Sequence, residues 1–231
     1  MLAAAGNVDH ERIVELARER LDCVAAPGDA DPRRRFHVKE TEQYHLCVGG
    51  PGIARGDDRR FALRILDTIL GGSTSSRLFQ EVREKRGLAY AVYSYASQFA
   101  DSGQIGIYVG TRPDNVAEAM EIIGGELDRV AADGVTAEEL ERARENVKGR
   151  TTLSMESTLA RMNRLGNSVL MGVPVLTLDE ILAALDAVTL DDVGALAAEL
   201  YAPGRLSAAG VGASEETFRA ALAPVSEALA A

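Results

Sequence analysis

The sequence contains no tryptophan, three histidines and two cysteines in 231 residues. Two cysteines, Cys23 and Cys47, are too few for the disulfide framework of a small secreted protein, so we expect reduced thiols and a cytoplasmic location. No apolar run approaches the roughly 20 residues that span a bilayer, and the opening residues lack the basic and apolar regions of a secretory signal. We therefore expect no contact with a membrane.

Basic side chains are also scarce relative to acidic ones. The chain has 25 Lys and Arg residues against 35 Asp and Glu residues, which gives a formal net charge of −10. A nucleic-acid binder needs a basic face for phosphates, so we expect no nucleic-acid partner. The hydrophobic fraction of 46% and the charged fraction of 26% are typical of a globular protein, and the length allows one large domain or two small ones.

The few histidines offer little for a metal site. Residues 37–41, His-Val-Lys-Glu-Thr, begin like the H-x-x-E-H zinc motif but end in threonine. The stretch alternates between apolar and polar residues, which predicts a strand, and on a strand His37 and Glu40 point to opposite faces. We expect neither a metal site nor a bound cofactor in this chain.

The order of predicted elements indicates the fold class. Residues 26–35, rich in Pro, Gly, Asp and Arg, predict a linker between a short segment, 1–25, and a main lobe, 36–231. The elements predicted for the lobe are a strand over about 36–49, helices over about 57–70 and 76–86, a hairpin of strands 88–99 and 103–110, helices over about 113–132, 136–157, 158–171, 178–186 and 190–200, a strand over 205–211 and a helix over 215–229. This order predicts an α+β fold, with a mostly antiparallel meander sheet and helices packed on one face.

Two glycine-rich stretches imitate phosphate-binding loops. Residues 50–56 approach a dinucleotide-binding loop, but the spacing is off by one and Pro51 lacks an amide hydrogen, so we predict a turn that ends the first strand. Residues 71–76, Gly-Gly-Ser-Thr-Ser-Ser, lack the lysine of a P-loop and have no general base nearby, so we predict a helix-capping loop.

A basic patch follows that loop, formed by Arg77, Arg83, Lys85 and Arg86. Charged clusters are usually solvated faces. Arg83, however, lies near the end of a predicted helix, Gly87 ends that helix, and Tyr90 enters a strand seven residues after Arg83. The end of the helix and the start of the strand could therefore place a guanidinium and a phenol near one point, where both could donate to a developing oxyanion.

Residues 70–94, Leu-Gly-Gly-Ser-Thr-Ser-Ser-Arg-Leu-Phe-Gln-Glu-Val-Arg-Glu-Lys-Arg-Gly-Leu-Ala-Tyr-Ala-Val-Tyr-Ser, closely resemble the C-terminal half of pitrilysin/insulinase-type zinc peptidases, nearest to the processing-peptidase branch. Residues 39–46 resemble the first strand of that half, and residues 155–166 resemble its long helical segment. Residues 3–10 resemble the end of the preceding half, so we expect residues 1–25 to be its remnant.

The resemblance implies one half of a clamshell whose two similar lobes close around an unfolded peptide. In such enzymes the N-terminal half binds zinc through H-x-x-E-H and a distal glutamate, and the C-terminal half supplies an arginine and a tyrosine at the spacing of Arg83 and Tyr90. Those two residues are therefore implied to be catalytic, holding the substrate carbonyl. This sequence has no H-x-x-E-H.

The missing motif defines the expected partners. Zinc is expected in a missing or partner half, and the chain is expected to be inactive alone. Its expected partners are a zinc-bearing peptidase half or subunit and an unfolded peptide substrate. The assembly is expected to be a homo- or hetero-oligomer. The alternative is a non-catalytic structural or peptide-binding subunit of a peptidase-like complex.

Overall fold

The structure is a computed structural model that describes residues 9–20 and 33–231, and the chain divides into two units after Asp31. The described part of the first unit is helix α1, His10–Arg20. The carboxylate of Asp9 accepts a hydrogen bond from the amide of Arg12 at 2.7 Å and so caps α1. Most of the predicted linker, 26–35, lies outside the described residues, and its last two residues, Arg34 and Arg35, already belong to the first strand of the second unit.

The second unit alternates strands and helices. Its elements are β1 (Arg34–Val38), β2 (Tyr44–Gly52), α2 (Arg60–Leu70), a π-helix (Phe79–Glu84), β3 (Ala89–Gln98), β4 (Gly103–Thr111), α3 (Val116–Asp133), α4 (Ala137–Ser154), α5 (Thr158–Leu170), α6 (Leu178–Asp186), α7 (Leu190–Leu200), β5 (Ser207–Gly212), α8 (Glu215–Leu222) and α9 (Glu227–Ala230). Within residues 9–20 and 33–231, no helix combines the length and the hydropathy needed to cross a membrane.

The five strands form one sheet in the order β1-β5-β2-β4-β3. Only β1 and β5 are parallel, and the other three neighbouring pairs are antiparallel. The predicted α+β class with a mostly antiparallel sheet is therefore confirmed. The order is not a simple meander, because β5, from the end of the chain, inserts between β1 and β2.

The core lies between the sheet and the helices. On β2, Tyr44, Leu46 and Val48 are buried, and the residues between them face the other side of the sheet. The buried partners on β4 are Ile105, Ile107 and Val109, and helices α2, α7 and α8 contact β3, β2 and β5. Each fully buried aliphatic side chain stabilises the fold by about 1.5–3 kcal/mol relative to the exposed state. The helices thus cover one face of the sheet, as predicted.

The predicted strand over 36–49 was wrong in two respects. It is two strands, separated by residues 39–43, where the Thr41 hydroxyl donates to the carbonyl of Gln43 at 2.6 Å in a local turn. The first residues of the turn predicted over 50–56 are instead the end of β2, which continues to Gly52 and pairs with β4. Glycine is needed there because a Cβ on Gly49 would lie 2.2 Å from the carbonyl oxygen of Ile105.

Two predicted helices also differ from the structure. The helix predicted over 136–157 ends at Ser154. Ser157 caps the next helix, because its hydroxyl accepts from the amide of Ala160. The terminal helix predicted over 215–229 is divided into α8 and α9 around Pro224, which cannot donate a helical hydrogen bond. Thr136 and Glu139 form a capping box at the start of α4.

Candidate functional site

The segment between α2 and β3 is anchored by two buried side chains. Leu78 and Val82 are fully buried under α3 and the sheet. We predicted an ordinary helix over 76–86, but residues 79–84 form a π-helix, in which the amide of Lys85 bonds to the carbonyl of Gln80 at 2.9 Å. A π-helix widens the turn by one residue and is frequent at functional sites. It changes which residues project from the end of the segment.

The chain then reverses sharply into β3. Gly87 has a φ of 62°, a left-handed conformation that favours glycine, and its amide bonds to the carbonyl of Arg83 at 3.0 Å. Leu88 follows, with its side chain buried and its carbonyl accepting hydrogen bonds from Thr111 Oγ1 and Asn115 Nδ2. The distance between the end of the π-helix and the start of β3 is thereby fixed.

Tyr90 lies at a β-bulge. Ala89 pairs with Thr111 on β4, but Ala91 pairs with the adjacent Gly110, so Tyr90 is an extra residue in β3. Ala89 and Val92 both point into the core, whereas the Tyr90 side chain is 78% exposed. The bulge therefore directs a large aromatic side chain into solvent at the start of the strand.

The structure brings Arg83 and Tyr90 together, as the sequence predicted. Arg83 Nη1 donates to the main-chain carbonyl of Tyr90 at 2.9 Å, and the guanidinium carbon lies 4.6 Å from the centre of the Tyr90 ring. The same guanidinium lies 4.9 Å from the Phe79 ring, so it is held between two aromatic side chains. Within the described residues Arg83 makes no ion pair. Its remaining N–H groups and the exposed phenol are thus donors available to a ligand.

The other members of the basic patch are occupied by carboxylates. Arg77 Nε and Nη2 donate to the two oxygens of Glu139 at 2.6 and 2.8 Å, and Lys85 and Arg86 both pair with Glu81. The hydrogen bond from Arg77 lowers the pKa of Glu139 to about 2, because it stabilises the charged carboxylate. These three side chains are therefore neutralised by carboxylates, and Arg83 differs from them in facing no carboxylate within the described residues.

The sheet face opposite the helices carries an aromatic row that the sequence did not predict. Tyr93 on β3 pairs with Tyr108 on β4, which pairs with Cys47 on β2. The rings of Tyr93 and Tyr108 are 5.1 Å apart, and Tyr108 Oη lies 2.7 Å from His45 Nδ1. Burial raises the pKa of the Tyr108 hydroxyl and of the Cys47 thiol, so both groups are held in their protonated forms at neutral pH.

A glycine shapes the same face. Tyr95 pairs with Gly106 on β4, and a Cβ at Gly106 would lie 2.4 Å from Tyr95 Cζ. The Tyr95 ring therefore lies flat over the glycine, and burial raises the pKa of its hydroxyl. The alternation of tyrosines along β3 is visible in the sequence, but the pairing with β4 that aligns them depends on the strand register.

The described residues do not fit a zinc site. Within residues 9–20 and 33–231, no group of three His, Cys, Asp or Glu side chains could hold a metal ion. His37 and His45 lie in one row across the sheet, with Val211 of β5 between them. Glu40 lies beyond the end of β1 at Val38, so our argument from opposite faces of one strand does not apply to it.

Comparison with known families gives one match over most of the chain. Residues 1–147 match the family described as "Peptidase M16 inactive domain". An uncharacterized zinc protease from Streptomyces coelicolor is 45% identical over 216 residues, which cover 87% of this chain and 47% of that protein. The uncharacterized zinc protease YmxG from Bacillus subtilis is 47% identical over 209 residues, covering 87% of this chain and 51% of that protein.

A solved structure shows the same fold. The peptidase M16 inactive domain from Pseudomonas fluorescens superposes with a TM-score of 0.75 at 24% identity, over 84% of this chain and 47% of that one. The chain thus spans about half the length of the curated relatives and of the solved structure that it matches.

Proposed function

The chain belongs to the peptidase M16 family as its C-terminal, inactive domain, and on that basis we propose that it is the non-zinc half of a processing-peptidase-like zinc metalloendopeptidase. In this role it closes over an unfolded peptide, and proteolysis requires a zinc-bearing half. Relatives named zinc proteases are about twice as long as their match to this chain, which leaves room for such a half outside the match.

The proposed contribution of this chain to the reaction is made by Arg83 and Tyr90. The guanidinium and the phenol donate hydrogen bonds to the carbonyl oxygen of the peptide bond that is cleaved. When water adds to that carbonyl, the oxygen becomes negatively charged, and both hydrogen bonds strengthen because their acceptor now carries a charge. They therefore stabilise the transition state more than the bound peptide. Zinc and the attacking water belong to the other half.

The observation that carries this proposal is the fixed contact between Arg83 and the bulged Tyr90. The π-helix, the left-handed Gly87 and the bulge hold the two side chains 4.6 Å apart, from guanidinium carbon to ring centre. Tyr90 is exposed at a bulge, and the neighbouring Arg83 faces no carboxylate in the described chain. This arrangement favours a role in binding an oxyanion over a role in stabilising the fold.

A reconstitution experiment tests the proposal. The chain is mixed with the portion of the Streptomyces coelicolor relative that lies outside the match, and cleavage of an unstructured fluorogenic peptide is followed with and without a metal chelator. We expect chelator-sensitive cleavage by the mixture and none by either component. In the mixture, Tyr90→Phe should lower kcat by about tenfold or more, with KM nearly unchanged, because the lost hydrogen bond acts mainly in the transition state.

Tyr93→Phe is the matched control, because Tyr93 is another exposed tyrosine of β3 that lies outside the bulge. It should leave kcat unchanged. Equal kcat values for the wild type and Tyr90→Phe would remove Tyr90 from the chemistry. Chelator-sensitive cleavage by the chain alone would overturn the proposal that it needs a zinc-bearing half.

A non-catalytic, peptide-binding subunit is the second candidate, and the aromatic row of Tyr93, Tyr108 and their neighbours favours it. Exposed tyrosines offer apolar contact area and a hydrogen-bonding group with little conformational cost. In the reconstitution, peptide binding without cleavage, and loss of binding in Tyr93→Ala, would favour this second function over the first. The low cysteine content supports the cytoplasm as the compartment in which either function operates.

A further inference from the structure

A cavity of about 460 Å³ lies beside α2, away from the residues discussed above. It is bounded by α2, the end of β3, the end of α4, α5 and the segment 173–176. We call it the arginine cavity, because its walls include Arg55, Arg60, Arg64 and Arg164. Its volume lies in the range that is typical of sites for small organic molecules.

Positive charge in the arginine cavity is poorly balanced. Among the described residues, Asp67 is the one carboxylate that lines it, and that carboxylate accepts a hydrogen bond from Ser94 Oγ at 2.6 Å. Burial raises the pKa of Asp67, which weakens it as a counter-charge. Arg60 lies 3.7 Å from Asp58, whereas Arg64 makes no ion pair within residues 9–20 and 33–231. A local excess of positive charge therefore exists in a protein whose net charge is −10.

The arrangement is unfavourable for α2 by itself. Arg60 and Arg64 are four residues apart and so lie on the same side of the helix, where like charges repel. Burial, together with repulsion by Arg150 and Arg55, lowers the pKa of the Arg64 guanidinium. A cluster that costs stability and has no structural counter-charge is expected where a ligand supplies the missing charge.

Arg164 adds an unused hydrogen-bond donor to the cavity. Its Nη1 donates to the carbonyl of Leu176, which ties the side chain to the segment after α5. That segment is positioned by Gly172, whose φ of 65° ends the helix, and by the amide of Val173 bonding to the carbonyl of Ser168. The Nε of Arg164 is buried and has no hydrogen-bond partner in the described part of the chain. A buried donor of this kind is unfavourable unless an acceptor reaches it.

Apolar side chains also line the arginine cavity. They belong to Phe61 and Leu63 of α2, Leu176 and Ile181, together with Val173 and Pro174. An inorganic anion would leave these side chains without a partner, whereas an organic anion could contact them as well as the guanidinium groups. We propose that the arginine cavity binds a small organic anion, whose carboxylate or phosphate group meets Arg64 and Arg164 and whose apolar portion lies against Phe61 and Leu176.

Calorimetric titration of the chain tests the site directly. The probes are hexanoate and phenyl phosphate, which are organic anions, and acetate and inorganic phosphate, which carry the same charged groups without an apolar portion. We expect saturable binding of hexanoate or phenyl phosphate, at least about tenfold tighter than that of its small counterpart. Whichever of the two binds more tightly identifies the charged group as carboxylate or phosphate.

Two variants test whether the organic anion binds in the arginine cavity. Arg64→Gln removes one guanidinium that lines the cavity and makes no ion pair within the described residues. It should weaken binding by about tenfold, and circular dichroism should show an unchanged fold. Arg142→Gln is the control, since Arg142 is an exposed arginine of α4 that does not line the cavity. Equal weakening by both variants would show that only general charge attraction is measured and would overturn the proposal.

Two other results would also overturn it. The first is no saturable binding of any probe up to about 10 mM. The second is equal affinity for organic and small anions, which would show that the apolar side chains do not contribute to recognition. This inference is independent of the proposed peptidase function, because its test requires neither a zinc-bearing half nor a peptide.

Discussion

Arg77 and Arg83 lie six residues apart in one segment and have opposite environments. The Arg77 side chain is 17% exposed and forms a two-point ion pair with Glu139, near the buried Glu126. Arg83 instead lies between the rings of Phe79 and Tyr90, beside an exposed tyrosine, with no carboxylate among its described partners. Arg77 anchors the segment between α2 and β3 to the rest of the domain, whereas Arg83 lies at the end of that segment. The difference indicates which basic residue is structural and which is available for binding.

The largest expected effect is that of Arg77→Ala on stability. Glu139, which is 15% exposed, would lose its guanidinium partner, whereas Glu126 would keep Arg129. A largely buried carboxylate without a counter-charge is costly. We expect the free energy of unfolding to fall by about 3 kcal/mol, measured by urea denaturation. Arg83→Ala, the comparison variant, should change it by less than about 1 kcal/mol. Similar losses for the two variants would contradict the assignment of different roles.

A smaller effect is expected in the pH dependence of stability. The hydrogen bond from Arg77 lowers the pKa of Glu139 from 4.5 to about 2. Stability from the ionised carboxylate is therefore fully present above about pH 5 and is lost as the pH falls toward 2, where the folded state also takes up the proton. The difference in unfolding free energy between wild type and Glu139→Gln should shrink over this range. A difference that stays constant down to pH 2 would show that ionisation of Glu139 does not stabilise the fold.

The smallest expected effect is that of Tyr90→Phe on stability. The side chain is 78% exposed, and the hydrogen bond from Arg83 goes to the main-chain carbonyl, which phenylalanine retains. We expect the free energy of unfolding to change by no more than about 0.5 kcal/mol. A loss well above that value in urea denaturation would mean that the phenol is structural, and the kinetic experiment on this variant would then have to be interpreted differently.

Several local features were predictable from the sequence because their causes are local. The seven-residue spacing of Arg83 and Tyr90, with Gly87 between them, predicted that a helix end and a strand start would bring the two side chains together. The capping box at Thr136 and the hairpin of β3 and β4 follow from residues that are neighbours in the chain. Each of these features needs contacts across only a few residues.

Other features were missed because their causes are distant in sequence. The glycines of 49–52 look like a turn, but a strand is formed because β4 approaches them closely. The π-helix and the bulge at Tyr90 depend on how Leu78, Val82 and Leu88 are buried against the rest of the domain. The pairing of Tyr93 with Tyr108 depends on the register of two strands, which a single-residue shift would change.

The chain's local pattern was enough to predict the α+β class and the meeting of Arg83 with Tyr90. That pattern did not predict which arginine of the basic patch is neutralised by a carboxylate. Glu139 lies 62 residues beyond Arg77, and the packing of α4 beside α2 brings it into contact. The physical reason is that side-chain charge is visible in a sequence, whereas the counter-charge and burial that determine its role come from elements joined only by folding.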